Sequence, residues 1–170
     1  MSDSHGRAST TERAVEMLVD AGAEMLLHLG DVGTVEVIDA LAEVDEAGER
    51  IEAHLVFGNT DWDLETLRRY AEGLGVAVAH PAGRLELKTG LLYFCHGHQP
   101  EVMKAGLREG ARYLCHGHTH RTLDTVQGPT RIINPGALFR AETYTVALLD
   151  TDTDELEFLT VDEGPGPRPS

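Results

Sequence analysis

A chain of 170 residues with 41% hydrophobic content has the length for one domain with a substantial core and leaves little room for two. Its 29 acidic residues against 14 basic ones give a formal charge of −15, which disfavours long nucleic acids and anionic membranes as partners. No run of the sequence approaches the roughly 18 apolar residues that would cross a bilayer, and no charged-then-apolar leader opens it, so a cytoplasmic protein is expected.

Lys88 and Lys104 are the only lysines, and the acidic, lysine-poor composition resembles that of proteins from salt-loving microbes. An ordinary acidic protein is the alternative. An anionic substrate would need local positive charge on such a surface, and bound cations could supply it. Cys95 and Cys115 each close an apolar run just before His-Gly-His. They read as small buried hydrophobes at strand ends rather than as a disulfide framework.

Taken in chain order, apolar runs bounded by Gly, Asn and Asp alternate with helical spacing, the pattern of an α/β protein. Ala14, Val15, Leu18 and Val19 predict a helix over Thr11–Ala21, with Ser9, Thr10 or Thr11 as N-cap and Gly22 as stop. Met25–Leu29 reads as a buried strand ending in Gly-Asp. Val35–Ala47 reads as a helix stopped by Gly48. Ala53–Phe57 is a strand ending in Gly-Asn-Thr-Asp, followed by a helix over Leu64–Glu72. Val76–Ala79 and Arg84–Lys88 are short strands, and Leu91–Cys95 runs into His96-Gly97-His98. A helix over Pro100–Glu109 leads to the strand Arg112–Cys115 and to His116-Gly117-His118-Thr119-His120. Two hairpins follow: Thr122–Val126 with Arg131–Ile133, and Tyr144–Leu149 with Glu155–Val161. Residues 1–163 are expected to form the domain, and Gly164–Ser170, rich in Pro and Gly, a disordered tail.

Five polar clusters stand at the chain start or after these strands: Asp3-Ser4-His5-Gly6, Gly30-Asp31, Gly58-Asn59-Thr60-Asp61, His96-Gly97-His98 and Gly117-His118-Thr119-His120. In an open α/β sheet, ligands bind outside the carboxyl ends of the strands, so clusters distant in sequence can converge. Imidazoles and carboxylates suit Mn, Fe or Zn, and an Asn carbonyl adds a hard oxygen without charge. Two cations roughly 3.5–4 Å apart need a bridging carboxylate and together clamp the oxygens of a phosphoryl transfer. Singly, Gly-Asp is an ordinary turn and Asp-x-His an Asx-turn or helix cap. Their weight lies in the ordered set.

That order, Asp-x-His, Gly-Asp, Gly-Asn-x-Asp, His-Gly-His, Gly-His-Thr-His, resembles the calcineurin-like metallophosphoesterases. Chain length and Asn134-Pro135-Gly136 resemble their small bacterial and archaeal phosphodiesterase branch. The resemblance implies an α/β sandwich of two mixed β-sheets flanked by helices, with the C-terminal hairpins in the second sheet. It also implies that Asp3, His5, Asp31 and His120 hold one divalent metal. Asp31, Asn59, His96 and His118 would hold a second, with Asp31 bridging. Mn is the first expectation, with Fe, Zn, Ni or Co also fitting such ligands. A hydroxide between the two cations would attack phosphorus in line. Small phosphodiesters or nucleotides are the expected substrates, with phosphomonoesterase activity next. The alternative from a different class is a non-catalytic interaction scaffold, for which the retromer subunit of the same fold is the precedent. Oligomeric state, including a homo-oligomer, is left open.

Two departures stand out. Larger relatives place His directly after the Asn of the third motif, and here that position is Thr60, a very poor proton donor. His98 either faces the substrate and supplies that proton or is an exposed loop residue. Second, relatives begin with an apolar strand that delivers Asp-x-His, and only Met1 and Ser2 precede Asp3 here. The expectation is a fold lacking its first β-strand, by truncation or by tolerance of a damaged first site, with a gap in the sheet and a ragged start that holds its ligands poorly. Of the other histidines, His28 reads as a hydrogen-bonded core group, with support of Asp31 as the alternative. His116 reads as structural, and His54 and His80 as surface positions.

Overall fold

The structure is a computed structural model that describes residues 1–42, 48 and 50–162. The elements in order are α1 (Ala8–Asp20), β1 (Met25–His28), α2 (Val35–Leu41), β2 (Glu52–Leu55), α3 (Leu64–Gly73), β3 (Ala77–Val78), β4 (Ala82–Leu87), β5 (Gly90–Cys95), α4 (Pro100–Arg108), β6 (Tyr113–Cys115), β7 (Thr122–Gln127), β8 (Thr130–Pro135), β9 (Thr145–Asp150) and β10 (Glu155–Thr160). Strands and helices interleave up to β6, with β3, β4 and β5 consecutive, and the later described elements are all β, as the periodicity indicates. The end of the second expected helix and the C-terminal tail fall outside the described residues.

β1, β2 and β3 form a parallel sheet in that order, and β4-β5-β6-β8-β7 form a mixed five-stranded sheet. Between them lie Leu29, Val56, Leu92, Phe94, Tyr113, Cys115 and Ile133. On the other side of the first sheet, α1 and α2 pack Ala14, Val15, Leu18, Val37, Ile38 and Leu41 against Leu26 and Leu55. Each such leucine or isoleucine contributes about 1.5–3 kcal/mol by leaving water. α4 covers the outer face of the five-stranded sheet, with Val102, Met103, Ala105 and Leu107 against Tyr93, Cys95 and Leu114. The fold is thus the layered α/β sandwich that the resemblance implies.

Three expectations are corrected. The hairpin β7–β8 joins the five-stranded sheet, but β9–β10 stands apart as a two-stranded ribbon. A cleft of about 710 Å³ separates it from β1, lined by Met1, Leu26, Leu27, Leu92, Cys115, Ile133, Ala147, Leu149 and Leu156 among others, so no ladder joins the two edges. The first residues are not ragged. The Met1 amino group donates to Leu27 O at 2.9 Å, Leu29 N–H donates to Met1 O at 3.0 Å, and Asp3 N–H donates to Gly30 O at 3.0 Å, a parallel pairing along the edge of β1. Met1, Ser2, Asp3 and Ser4 are all buried. Finally, α1 begins at Ala8 with Arg7 at its N-cap and no side-chain cap. The candidate cap Thr11 is inside the helix, where its hydroxyl donates to Arg7 O at 2.9 Å and lies 3.0 Å from Ser4 Oγ. That hydroxyl serves the N-terminal loop instead.

Candidate metal centre

Every sheet in the sandwich sends a loop to the same end. Asp3 and His5 arrive from the stretch before α1, Asp31 follows β1, Asn59 and Thr60 follow β2, His96 and His98 follow β5, and His118 and His120 follow β6. The backbone of this end is bent to fit. Asp3, His5, Asp31, His118 and His120 all have φ between +46° and +69°, a left-handed conformation rare for non-glycine residues. Five proposed ligands in one sparsely populated region is the clustering of strain found at functional sites. Two glycines make room between the loops. A Cβ on Gly58 would collide with the Asp31 carboxylate, and one on Gly117 with Ser2 Oγ and Asp3 Oδ2.

The seven ligand-type side chains converge. Asp31 Oδ2 lies 3.4 Å from His5 Nε2 and 3.5 Å from His96 Nε2. Asp3 Oδ1 lies 3.2 Å from His120 Nε2, and His118 N–H donates to Asp3 Oδ2 at 3.0 Å. Asn59 Oδ1 is 3.1 Å from His96 Nε2, and the His96 and His118 rings are 5.1 Å apart. Asp3, His5 and His120 offer ligand atoms within 4.8 Å of one another, as do Asp3, Asp31 and His96.

The donor chemistry tests whether a cation fits. His96 Nδ1 sits 2.7 Å from the Leu29 carbonyl, so that nitrogen carries a proton. In the neutral ring, Nε2 then presents a lone pair to two further acceptors, Asn59 Oδ1 and Asp31 Oδ2. Acceptors facing acceptors repel unless a positive charge lies among them. Asp3 Oδ1 and His5 Nε2 are also buried and make no hydrogen bond. Buried polar atoms without partners are costly, and a divalent cation satisfies both. The residues fit divalent metal binding.

Electrostatics agree. Burial alone would raise the Asp31 pKa, but His96 and the Thr60 N–H, 2.9 Å from Oδ1, outweigh it and hold the carboxylate well below its usual range. Burial alone would lower His96, and Asp31 reverses this so that its pKa lies above the ordinary value. Burial lowers the pKa of His5 and of His98.

Supporting residues hold these loops. His28 Nδ1 accepts from Gly30 N–H at 3.3 Å and its Nε2 donates to Ser4 Oγ at 2.8 Å, so one neutral imidazole joins the Asp3–His5 loop to the Asp31 loop. Burial pushes its pKa down to about 3. Asp61 accepts from Gly33 N–H at 2.9 Å and Gly58 N–H at 2.8 Å. Asn134, fully buried, donates to Gly117 O at 2.8 Å and Thr119 Oγ1 at 3.1 Å. His116 is buried and bonds Gly117 O at 3.0 Å, a structural role. Cys95 and Cys115 are buried free thiols that burial pushes up to about 12.

His98 is half-buried, 5.2 Å from the His96 ring and 6.1 Å from that of His118; its Nδ1 is buried without a hydrogen bond. Thr60 gives its N–H to Asp31, and its hydroxyl is 3.4 Å from His5 Nδ1. His54 and His80 are half-buried rather than fully exposed. The His54 ring packs 6.0 Å from Phe94, and His80 lies 5.6 Å from Phe57 with its pKa lowered by burial and by Arg68. Sequence reasoning missed Asn134 and His80 as parts of this end, and named Asp61 in its cluster without the role of joining Gly33 to Gly58. The signal for His80 is that it follows β3, just as the ligands from Asp31 onward follow strands.

A cluster that asks for divalent cations at the strand ends of a layered α/β sandwich is that of a metal-dependent phosphoesterase. Residues 1–154 match the calcineurin-like phosphoesterase superfamily domain, and the chain belongs to that superfamily. It is 23% identical over 161 residues to Phosphodiesterase MJ0936 of Methanocaldococcus jannaschii, covering 91% of this chain and 93% of that protein. The fold is similar to the structure of a novel archaeal phosphodiesterase, with a TM-score of 0.81, 22% identity and 94% and 96% of the two chains covered. It is also similar to Yfce, a phosphoesterase from E. coli, with a TM-score of 0.63, 23% identity and 95% and 97% covered.

Proposed function

We propose that this protein is a dinuclear-metal-dependent phosphodiesterase acting on small phosphodiesters. The observation that carries the reading is the placement of Asp31 Oδ2, 3.4 Å from His5 Nε2 and 3.5 Å from His96 Nε2, between imidazoles on opposite sides of the cluster. Asp3, His5 and His120 would share Asp31 with one cation; Asn59, His96 and His118 would share it with the other. Mn is the first expectation, with Fe, Zn, Ni or Co compatible with the same donors. Bound there, the pair would neutralise the phosphate and activate water at neutral pH.

The chain's own residues do the rest. The Thr60 N–H fixes Asp31, and Asn134 and His116 fix the loop that carries His118 and His120. Thr60 positions a carboxylate and gives its hydroxyl to the neighbourhood of His5, so it is not the proton donor. In this reading His98, half-buried 5.2 Å from the His96 ring, would protonate a leaving oxygen through Nε2, which lies 3.0 Å from the Gln99 side-chain amide, because its Nδ1 is buried. The mouth is open to solvent at Asn59 and His118, which suits small substrates in general more than one closed shape.

Turnover of bis(p-nitrophenyl) phosphate after Mn loading tests the reading, with p-nitrophenyl phosphate alongside. Diester hydrolysis that EDTA abolishes and Mn restores is the expected result. Preference for the monoester would make the protein a phosphomonoesterase, and no turnover of either would favour the scaffold.

A further inference from the structure

Beside His5 the chain departs from its own electrostatics. It carries a formal charge of −15, yet two guanidiniums pack on one aromatic ring at this edge of the cluster. The Phe139 ring lies 5.1 Å from the His5 ring. Arg7 is 5.2 Å and Arg140 5.1 Å from the centroid of that same ring, and Arg7 is 5.9 Å from Tyr144. One aromatic side chain therefore contacts both guanidiniums and the ring of a proposed metal ligand.

Five other arginines are paired with carboxylates, Arg68 with Glu72, Arg69 with Glu65, Arg84 with Glu109, Arg112 with Asp154, and Arg131 with Asp124 and Asp154, whereas Arg108 and Arg121 have no carboxylate partner among the described residues. Arg140 has no carboxylate partner among the described residues, although acidic groups outnumber basic ones two to one. It is exposed, and its backbone is held at φ +48°, a conformation unfavourable for a long side chain. Strain that leaves a cation unpaired next to a phosphoester centre is expected where the cation serves a ligand. Simple phosphodiesters carry one charge, which the metals would neutralise. A guanidinium further out suits a second anionic group, and Arg binds phosphate oxygens two at a time.

We propose that Arg140, seated by Phe139, binds a second phosphate of the substrate, so that the preferred diesters are nucleotide-like molecules carrying a further phosphate group. This deepens the phosphodiesterase reading and rests on it. The group that Arg140 holds is a spectator, and no bond to it is made or broken.

Calorimetric titration of the full chain with thymidine 3′,5′-bisphosphate and with thymidine 5′-monophosphate tests the proposal without turnover, and bis(p-nitrophenyl) phosphate hydrolysis by the same wild-type preparation tests the enzyme reading separately. The wild-type protein should bind the bisphosphate about tenfold or more tightly than the monophosphate. Arg140→Ala should erase that ratio, Arg140→Lys should keep part of it, and Arg140→Glu should reverse it. Equal binding of the two nucleotides by the wild type, or an unchanged ratio in Arg140→Ala, would overturn the clamp even with turnover intact. Discrimination without turnover would uphold the clamp and remove the phosphodiesterase.

Discussion

The His118 N–H donates to Asp3 Oδ2 at 3.0 Å, which joins the start of the chain to a loop 115 residues away. One oxygen of Asp3 is thereby fixed by protein, and the other, Oδ1, is left for His120 and a cation. Gly117 makes this bond feasible, because a Cβ there would occupy the space of Ser2 Oγ and Asp3 Oδ2.

Gly117→Ala should therefore separate the two loops. We expect Mn affinity to fall by about 10- to 100-fold, the range for disrupting groups that orient metal ligands. Isothermal titration with Mn checks it, and affinity within about twofold of wild type would contradict the account, since a change that small is outside that range.

Leaving-group dependence reports on His98. Phenolic leaving groups depart without a proton, whereas alkoxides need one, and general acids contribute about 10²–10⁴-fold. His98→Ala should lower hydrolysis of a dialkyl diester such as a dinucleotide by about 100-fold or more, and that of bis(p-nitrophenyl) phosphate far less. Equal losses on both substrates would remove the proton-donor role. Thr60→Val keeps the N–H that bonds Asp31 and should spare both rates.

The protonation of His28 sets a pH window. Its folded pKa is about 3 against an ordinary 6.5, because burial excludes the charged form. Between those values the unfolded chain binds a proton here that the folded chain does not, so stability rises with pH. Acidification from 6.5 towards 3 should cost up to about 1.4 kcal/mol per pH unit through this one residue. Urea unfolding at pH 7 and pH 5 should show a smaller pH difference for His28→Gln than for wild type. The His28 ring resonances should also stay those of neutral imidazole at pH 5. A protonated ring at pH 5 in the folded protein would contradict this.

The site was legible because its chemistry is local. Apart from the Asp3–His5 run at the chain start, each ligand motif is a run of two to four residues closing an apolar strand, and strand ends face one way in a parallel sheet. The residues that hold the motifs in place were not. Asn134 serves Gly117 and Thr119 across 15–17 positions, and His28 serves Ser4 across 24, distances at which no periodicity survives. His28 was expected as a hydrogen-bonded core group, but its role as the link between two ligand loops needs coordinates. The same limit explains the hairpin β9–β10: its alternation identifies strands, while its separation from β1 depends on what lies between them. Thr11 was misread as a cap because the sequence shows a hydroxyl near a helix start, not that Ser4 competes for it.

Metal stoichiometry tests the central claim most directly, because the account turns on one carboxylate shared by two cations. Mass-spectrometric metal analysis of Mn-loaded, desalted protein should find about two Mn per chain, and Asp31→Asn should retain about one or fewer, as expected when the bridging charge of a two-metal site is lost. One Mn or none in the wild type, or two kept by Asp31→Asn, would contradict a dinuclear centre bridged by Asp31.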